Sequence, residues 1–266
     1  MNYKKNFMGG EDPGIALITG ASAGIGAEFA RQLASQGFGL ILIARRKNKL
    51  EKLSQELHEE YSVFVEIFVG DLSELDDNHK IISKIKEIDN LDVLINNAGY
   101  GINKTFLQTE IMQHINMINV HFTSAVMFCH AAIPGMTKRN RGVIINTSST
   151  AAVNKSQMGV MYTSTKTALT VFSELLQEKI KDTNIYIQSL CPGFTYSEFH
   201  DTESMRGFQR TWFPKEAWMA AEDVVRLSLE AVKNKEVIFI PGKYNQKNSR
   251  KIREAKIEQY LNAKRL

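Results

Sequence analysis

The sequence predicts an α/β protein: a doubly wound, mainly parallel sheet of seven strands with helices on both faces, folded as a single domain. Three observations predict it. Short β-branched or leucine-rich runs alternate with longer helical patterns along nearly the whole chain. The runs are mostly continuous in apolar character, as strands buried on both faces must be. Glycine- and asparagine-rich motifs follow directly on the strands, at the carboxyl edge where open parallel sheets hold ligands.

In chain order, IALIT at 15–19 is the first strand and 24–36 the first helix. LILIA at 40–44 precedes a charged helix over 47–60, and VFVEIFV at 63–69 precedes a helix over 74–88. DVLIN at 92–96 leads into a long helical stretch, 105–133, which Pro134 and Gly135 are expected to end. GVIINTS at 142–148 precedes a helix over 158–182, and IYIQSL at 185–190 and EVIFI at 236–240 close the series. Residues 1–13 are expected to form a flexible leader, 14–242 the folded domain and 243–266 a basic helical tail. No repeat, low-complexity segment or linker divides a second domain from the first.

The net charge of +4 is unevenly placed. Residues 243–266 hold eight Lys and Arg against Glu254 and Glu258, so the tail carries +6 and the remaining chain −2. A weakly acidic body argues against a broad nucleic-acid surface, although the tail could contact an anionic surface weakly. The start of the chain lacks an apolar signal segment, and the apolar runs are too short for a membrane span. Cys129 and Cys191 form no Cys-x-x-Cys or Cys/His cluster, so no metal site is expected. Together these features predict a soluble protein of a reducing, cytoplasmic compartment.

Strand 15–19 runs into TGASAGIG, residues 19–26. Gly20 permits the tight turn, Gly24 the approach of backbone to a pyrophosphate and Gly26 close helix packing, with the anion at the helix N-terminus beside Ser22, Ala23 and Ile25. An NAD-selective protein usually ends its second strand on a carboxylate. Here the chain reads Ala44, Arg45, Arg46. Without that carboxylate, and with Arg45 able to take a 2′-phosphate bidentately, NADP(H) is favoured over NAD(H). Ala23 stands where a second cation would strengthen that preference. Asp71, with Leu72 after it, either accepts from an adenine amino group or caps the next helix. Asn97, Ala98 and Gly99, in NNAG, let backbone approach a ligand.

Three strings match Tyr-x-x-x-Lys: Tyr100 to Lys104, Tyr162 to Lys166 and Tyr260 to Lys264. The string alone does not choose among them. TGASAGIG, NNAG, Tyr-x-x-x-Lys and Pro192-Gly193, in this order, resemble the one-domain, Rossmann-type branch of the short-chain dehydrogenase/reductase family, over about residues 15–242. In that family a serine lies thirteen residues before the catalytic tyrosine, and only Tyr162 has one, Ser149. The resemblance also implies roles. Tyr162 is the general acid in reduction and the base in oxidation. Lys166 favours its phenolate and holds the nicotinamide ribose, Ser149 polarises the carbonyl, and Asn119 holds a water that relays protons to Lys166. Thr195 and Ser197 stand where family members contact the cofactor, Ser197 replacing a commoner Thr.

Residues 199–219 carry Phe199, Met205, Phe208, Trp212, Phe213, Trp218 and Met219 with few regular signals. The substrate loop, about 193–220, is either a lid over a hydrophobic ketone or aldehyde (acyl-chain, steroid-like or retinoid-like) or a packing surface. The apolar helices at 105–133 and 158–182 form a dimer interface in the family, which implies a homodimer or homotetramer. The activity expected is carbonyl–alcohol interconversion with NADP(H). A non-catalytic NADP(H)-binding sensor or scaffold is the alternative. A sugar-nucleotide epimerase is disfavoured, because too few residues follow 242 for its substrate domain.

Overall fold

The structure is a computed structural model that describes residues 6–10, 12–154 and 159–263. Its elements are β1 (Ile15–Thr19), α1 (Gly24–Ala34), β2 (Gly39–Ala44), α2 (Lys47–Tyr61), β3 (Val65–Val69), α3 (Leu75–Glu87), β4 (Leu91–Asn96), α4 (Ile111–Ile118) and α5 (Ser124–Arg139). Then follow β5 (Gly142–Thr147), the short α6 (Thr150–Asn154), α7 (Val160–Lys179), β6 (Ile185–Leu190), β7 (Phe194–Tyr196), β8 (Trp218–Ala220), α8 (Ala221–Val232), β9 (Ile238–Phe239) and α9 (Lys243–Ala263).

The seven-stranded sheet has the order β3-β2-β1-β4-β5-β6-β9, and every pairing in it is parallel. Sequence order reverses between β1 and β4, which opens a crevice beyond their carboxyl ends. β4, β5 and β6 are buried along their whole length, as their mostly apolar runs lead one to expect, while β3 at the edge is only half-buried. Two apolar clusters flank the sheet. Phe29, Leu33, Leu50 and Val225 pack on one face, and Ile81, Phe128, Met136 and Ile187 on the other. In α2 the buried residues are Leu50, Leu53 and Leu57, one stripe at helical spacing.

Four expectations need correction. Pro134 does not end a helix: α5 continues through it to Arg139. Proline removes one backbone bond, but Ala131, Ala132 and Met136 on either side of it are buried, and that burial outweighs the loss. The stop is Asn140, left-handed at φ 51°, whose N–H donates to the carbonyls of Met136 and Thr137. Second, the helix starts later than expected and is not regular: after a separate 3₁₀ turn (Phe106–Gln108), α4, a π turn (Asn119–Thr123) and α5 run on without a break from Ile111 to Arg139.

Third, the leader is anchored where it is described. Phe7 packs on Phe38 at 5.7 Å and its N–H donates to Gln36. Finally, the tail begins inside the domain, since Asn245 and Ser249 of α9 are buried and Asn245 donates to Pro241. The remaining strand and helix boundaries differ from expectation by up to three residues at an end, and β9 keeps two of the five residues of its run.

The segment Ile111–Arg139 is long and apolar enough to cross a membrane by length and composition. Here it lies against the sheet, with Met117, Phe128 and Met136 buried in the core.

Candidate functional site

The loops after β1, β2, β3, β4 and β6 meet at the crevice, and each carries residues singled out from sequence. After β1, helix α1 starts at Gly24 with Ala23 as an N-cap that supplies no side-chain acceptor, so its first amides stay open to an anion. Gly24 has φ 56°, and a Cβ there would lie 2.9 Å from the Cβ of Ser197. A Cβ on Gly26 would come within 2.3 Å of the Gly20 carbonyl oxygen. Only glycine fits at either position. Ile25 turns inward onto the core.

The β4 loop is pinned to this turn by Thr19, a residue the sequence reading passed over. Its hydroxyl accepts from the N–H groups of Asn97 (2.9 Å) and Ala98 (3.1 Å) and donates to Ile95 O. The Asn97 amide donates to Thr19 O at 3.1 Å. Thr19 opens the TGASAGIG string, and that was the available signal. The result is a turn of backbone, with the Asn97 and Ser197 side chains against its glycines, of the kind that cradles a dinucleotide.

Beyond β2 the two arginines divide. Arg45 is 70% exposed at its side chain and pairs with Asp71 at 3.3 Å. Arg46 is the one tied to the phosphate loop, donating twice to Ser22 Oγ at 2.9 and 3.2 Å. Asp71 does not cap α3, whose N-cap is Glu74. Its carboxylate accepts instead from the N–H and hydroxyl of Ser73 at 3.0 and 2.8 Å. Burial pushes its pKa up, and the Ser73 bonds with Arg45 together hold it below the usual value. Leu72 is buried beneath the same loop.

Past β5, Ser149 accepts from Ala151 N–H at the start of α6, and its hydroxyl hydrogen-bonds the Tyr162 phenol. Tyr162 and Lys166 lie one turn apart on α7, with Lys166 Nζ 6.0 Å from the Tyr162 ring centroid. Lys166 is 4% exposed and donates to Thr147 O at 2.7 Å. Burial pushes its ammonium down to about 8. Burial raises the Tyr162 phenol above its ordinary value, and the Ser149 bond works against that rise. Tyr100 has no such setting. It lies in the loop after β4, its hydroxyl donating to Gln113 O, and Lys264 lies outside the described residues.

Asn119 opens the π turn, and its amide donates to Ser73 O at 3.2 Å. The side chain from this turn that reaches Tyr162 is His121, which the sequence reading missed. Fully buried, it meets the Tyr162 ring edge-on at 5.6 Å and 87°. Its Nε2 accepts from Tyr100 N–H at 3.0 Å, so in the neutral ring Nδ1 carries the proton and donates to Thr165 Oγ1, also at 3.0 Å. Thr165 in turn donates to Tyr162 O. Burial, then the Lys166 charge, pushes the imidazole well below its ordinary pKa and keeps it neutral. Gly99 lies against both His121 Nε2 and Lys166 Nζ. A lone histidine in the apolar run MINVHF was the one hint in the sequence.

The short chain dehydrogenase family profile matches residues 14–206. The chain belongs to that family. It is 31% identical over 192 residues to human very-long-chain 3-oxoacyl-CoA reductase, covering 70% of this chain and 61% of that protein. It is also 31% identical over 179 residues to human inactive hydroxysteroid dehydrogenase-like protein 1, covering 66% and 54%. The chain therefore spans about three fifths of the length of the curated relatives it matches. A short-chain dehydrogenase from Sphingobium yanoikuyae in complex with NADPH superposes with a TM-score of 0.82 at 27% identity, covering 94% of this chain and 95% of that one.

In this member of the short-chain dehydrogenase family the segment after β6 is packed down beside Tyr162. Pro192 O accepts from Thr150 N–H, Thr195 Oγ1 donates to Gly193 O, and the Asn245 side chain packs against Gly193. β7 and β8 pair as a small second sheet that the sequence did not predict. Phe194 stacks on Trp218 (5.0 Å) and Phe213 (4.1 Å), and Arg210 lies over Tyr196 and Trp218. Phe199 closes on Tyr162 at 6.1 Å, and Met205 and Phe199 crowd Gly101. Bonds from Asn103 to Ser204 O and Arg206 O tie the flap to the β4 loop. Most of the aromatic run is thus packed, with Trp212 left exposed, and Phe199 forms the wall beside Tyr162.

Proposed function

We propose that the protein is an NADP(H)-dependent oxidoreductase interconverting a ketone or aldehyde and the corresponding alcohol on a hydrophobic, acyl-chain or steroid-like substrate. The observation that carries this is the Tyr162 phenol, bonded to Ser149 and facing Lys166, beside a backbone cradle and under an apolar wall. The bound nicotinamide supplies the hydride. Tyr162 gives its proton to the carbonyl oxygen as negative charge develops there, and Ser149 donates the polarising bond. Lys166, cationic below about pH 8, stabilises the phenolate left behind. Asn119, held to Ser73, shapes the π turn. Cys129 and Cys191 are free and buried, which supports a reducing, cytoplasmic setting.

The deciding experiment follows NADPH consumption with a panel of ketones and aldehydes, long-chain 3-oxoacyl thioesters and keto-steroids among them. Turnover is expected with apolar carbonyls and NADPH, and more weakly with NADH. A relative labelled inactive favours the second reading, an NADP(H)-binding sensor; tight NADPH binding without turnover of any carbonyl would establish it.

A pH dependence follows from Lys166. Its lowered pKa keeps the ammonium below about pH 8 and loses it above. Reduction needs that cation, so kcat/KM for reduction should be level up to about pH 8 and fall beyond it. Lys166→Arg, whose guanidinium stays charged, should carry the fall to higher pH in whatever activity remains.

Exposed apolar residues on α4 (Ile111, Met112, Ile115) and α7 (Val171, Leu175) support a homodimer or homotetramer, which sedimentation equilibrium would test. The exposed Lys247, Arg250, Lys251 and Arg253 of α9 support weak contact with anionic surfaces. Co-sedimentation with anionic but not neutral vesicles would test that contact.

A further inference from the structure

The second strand ends without a carboxylate, yet the structure brings one there from the flap. Glu198 accepts from Arg46 Nη1 at 2.7 Å and from Lys49 Nζ. Arg46 simultaneously holds Ser22 of the phosphate loop. Glu198 is the first residue of a 3₁₀ turn capped by Ser197, whose side chain rests on Gly24. Arg210 staples that turn to the fold through Asp201 Oδ2 (2.7 Å) and Ser197 O (3.1 Å). The Lys49 and Arg46 bonds hold the Glu198 carboxyl below its ordinary pKa, so it is charged at neutral pH.

We propose that Glu198 determines cofactor specificity as an internal anion, competing with the adenosine 2′-phosphate for the Ser22–Arg46–Lys49 cluster. The inference rests on the reading that this crevice takes NADP(H). Arg46 and Lys49 offer two positive charges, and Glu198 already neutralises one of them. A 2′-phosphate brings about two negative charges at neutral pH. With Glu198 in place the cluster would then hold three negative charges against two positive, so the phosphate must displace the carboxylate from at least one cation. NAD(H), with hydroxyls in place of the phosphate, leaves Glu198 where it is. The exchange also frees the leading residue of the flap, so binding of the phosphorylated cofactor is felt beside Phe199 and hence at Tyr162.

Equilibrium binding of NADPH, NADH, 2′,5′-ADP and 5′-ADP to the wild type and Glu198→Gln tests this. In the variant, NADPH and 2′,5′-ADP should tighten by about fivefold, while NADH and 5′-ADP change by less than about twofold. Glu198→Asp, which keeps the charge on a shorter arm, should fall between. Equal weakening of NADPH and NADH would make Glu198 a clasp over either cofactor, and unchanged 2′,5′-ADP affinity would mean no competition; either result overturns the proposal. The wild-type ratio of NADPH to NADH affinity tests the cofactor reading separately. A wild type that prefers NADH overturns that reading, and the response of 2′,5′-ADP to Glu198→Gln still decides the competition.

Discussion

Replacing Tyr162 by Phe is expected to lower NADPH-dependent carbonyl reduction by about a thousandfold, within the usual range for losing a positioned general acid together with one bond to the developing oxyanion. The ring contacts with His121 and Phe199 do not involve the hydroxyl and survive the change. NADPH affinity should therefore stay within about twofold, because the cradle around Gly24, Gly26 and Asn97 is untouched. Steady-state rates with a binding titration on the same preparation measure both. Tyr100→Phe removes only the bond to Gln113 O and serves as the control. Turnover near normal in Tyr162→Phe would end the assignment.

His121→Ala should cost kcat about 10- to 100-fold, or about 1.4–2.7 kcal/mol of transition-state stabilisation, with a smaller change in KM. The imidazole touches the Tyr162 ring, holds Tyr100 N–H and, through Thr165, reaches the Tyr162 carbonyl, so its loss lets the phenol wander from Ser149. It acts by positioning. His121→Gln, with one amide acceptor and one donor, should recover part of the rate. Because burial keeps the ring neutral, neither variant should move the pH profile of kcat/KM. A shifted profile would mean that His121 exchanges protons itself.

Much of this was legible in the sequence, for identifiable reasons. Strands buried on both faces leave continuous apolar runs, so β1 and β6 were located to the residue. The motifs after β1 and β4 and the Ser149–Tyr162–Lys166 spacing were legible because each is local in the chain. What was not legible depends on contacts between distant segments. Pro134 reads as a stop, yet burial on the sheet carries α5 past it. Asn119 and His121, two residues apart on one π turn, engage different partners, Ser73 and Tyr162, and no spacing rule says which of them reaches Tyr162. Arg45 looked the better phosphate ligand, but Asp71 engages it and Arg46 takes the phosphate loop. Glu198 lies 152 residues from Arg46 in sequence, so no local pattern could reveal the carboxylate that the second strand lacks.

The central claim is that Tyr162, Ser149 and Lys166 serve hydride transfer from a bound nicotinamide to a carbonyl. The most direct measurement is incubation with NADPH deuterated at the transferable position of the nicotinamide and an apolar ketone, followed by mass spectrometry of the alcohol. The account predicts one deuterium on the carbinol carbon with the wild type and essentially no alcohol with Tyr162→Phe. NADPH that binds tightly while every carbonyl stays unreduced, or alcohol formed equally by Tyr162→Phe, would contradict it.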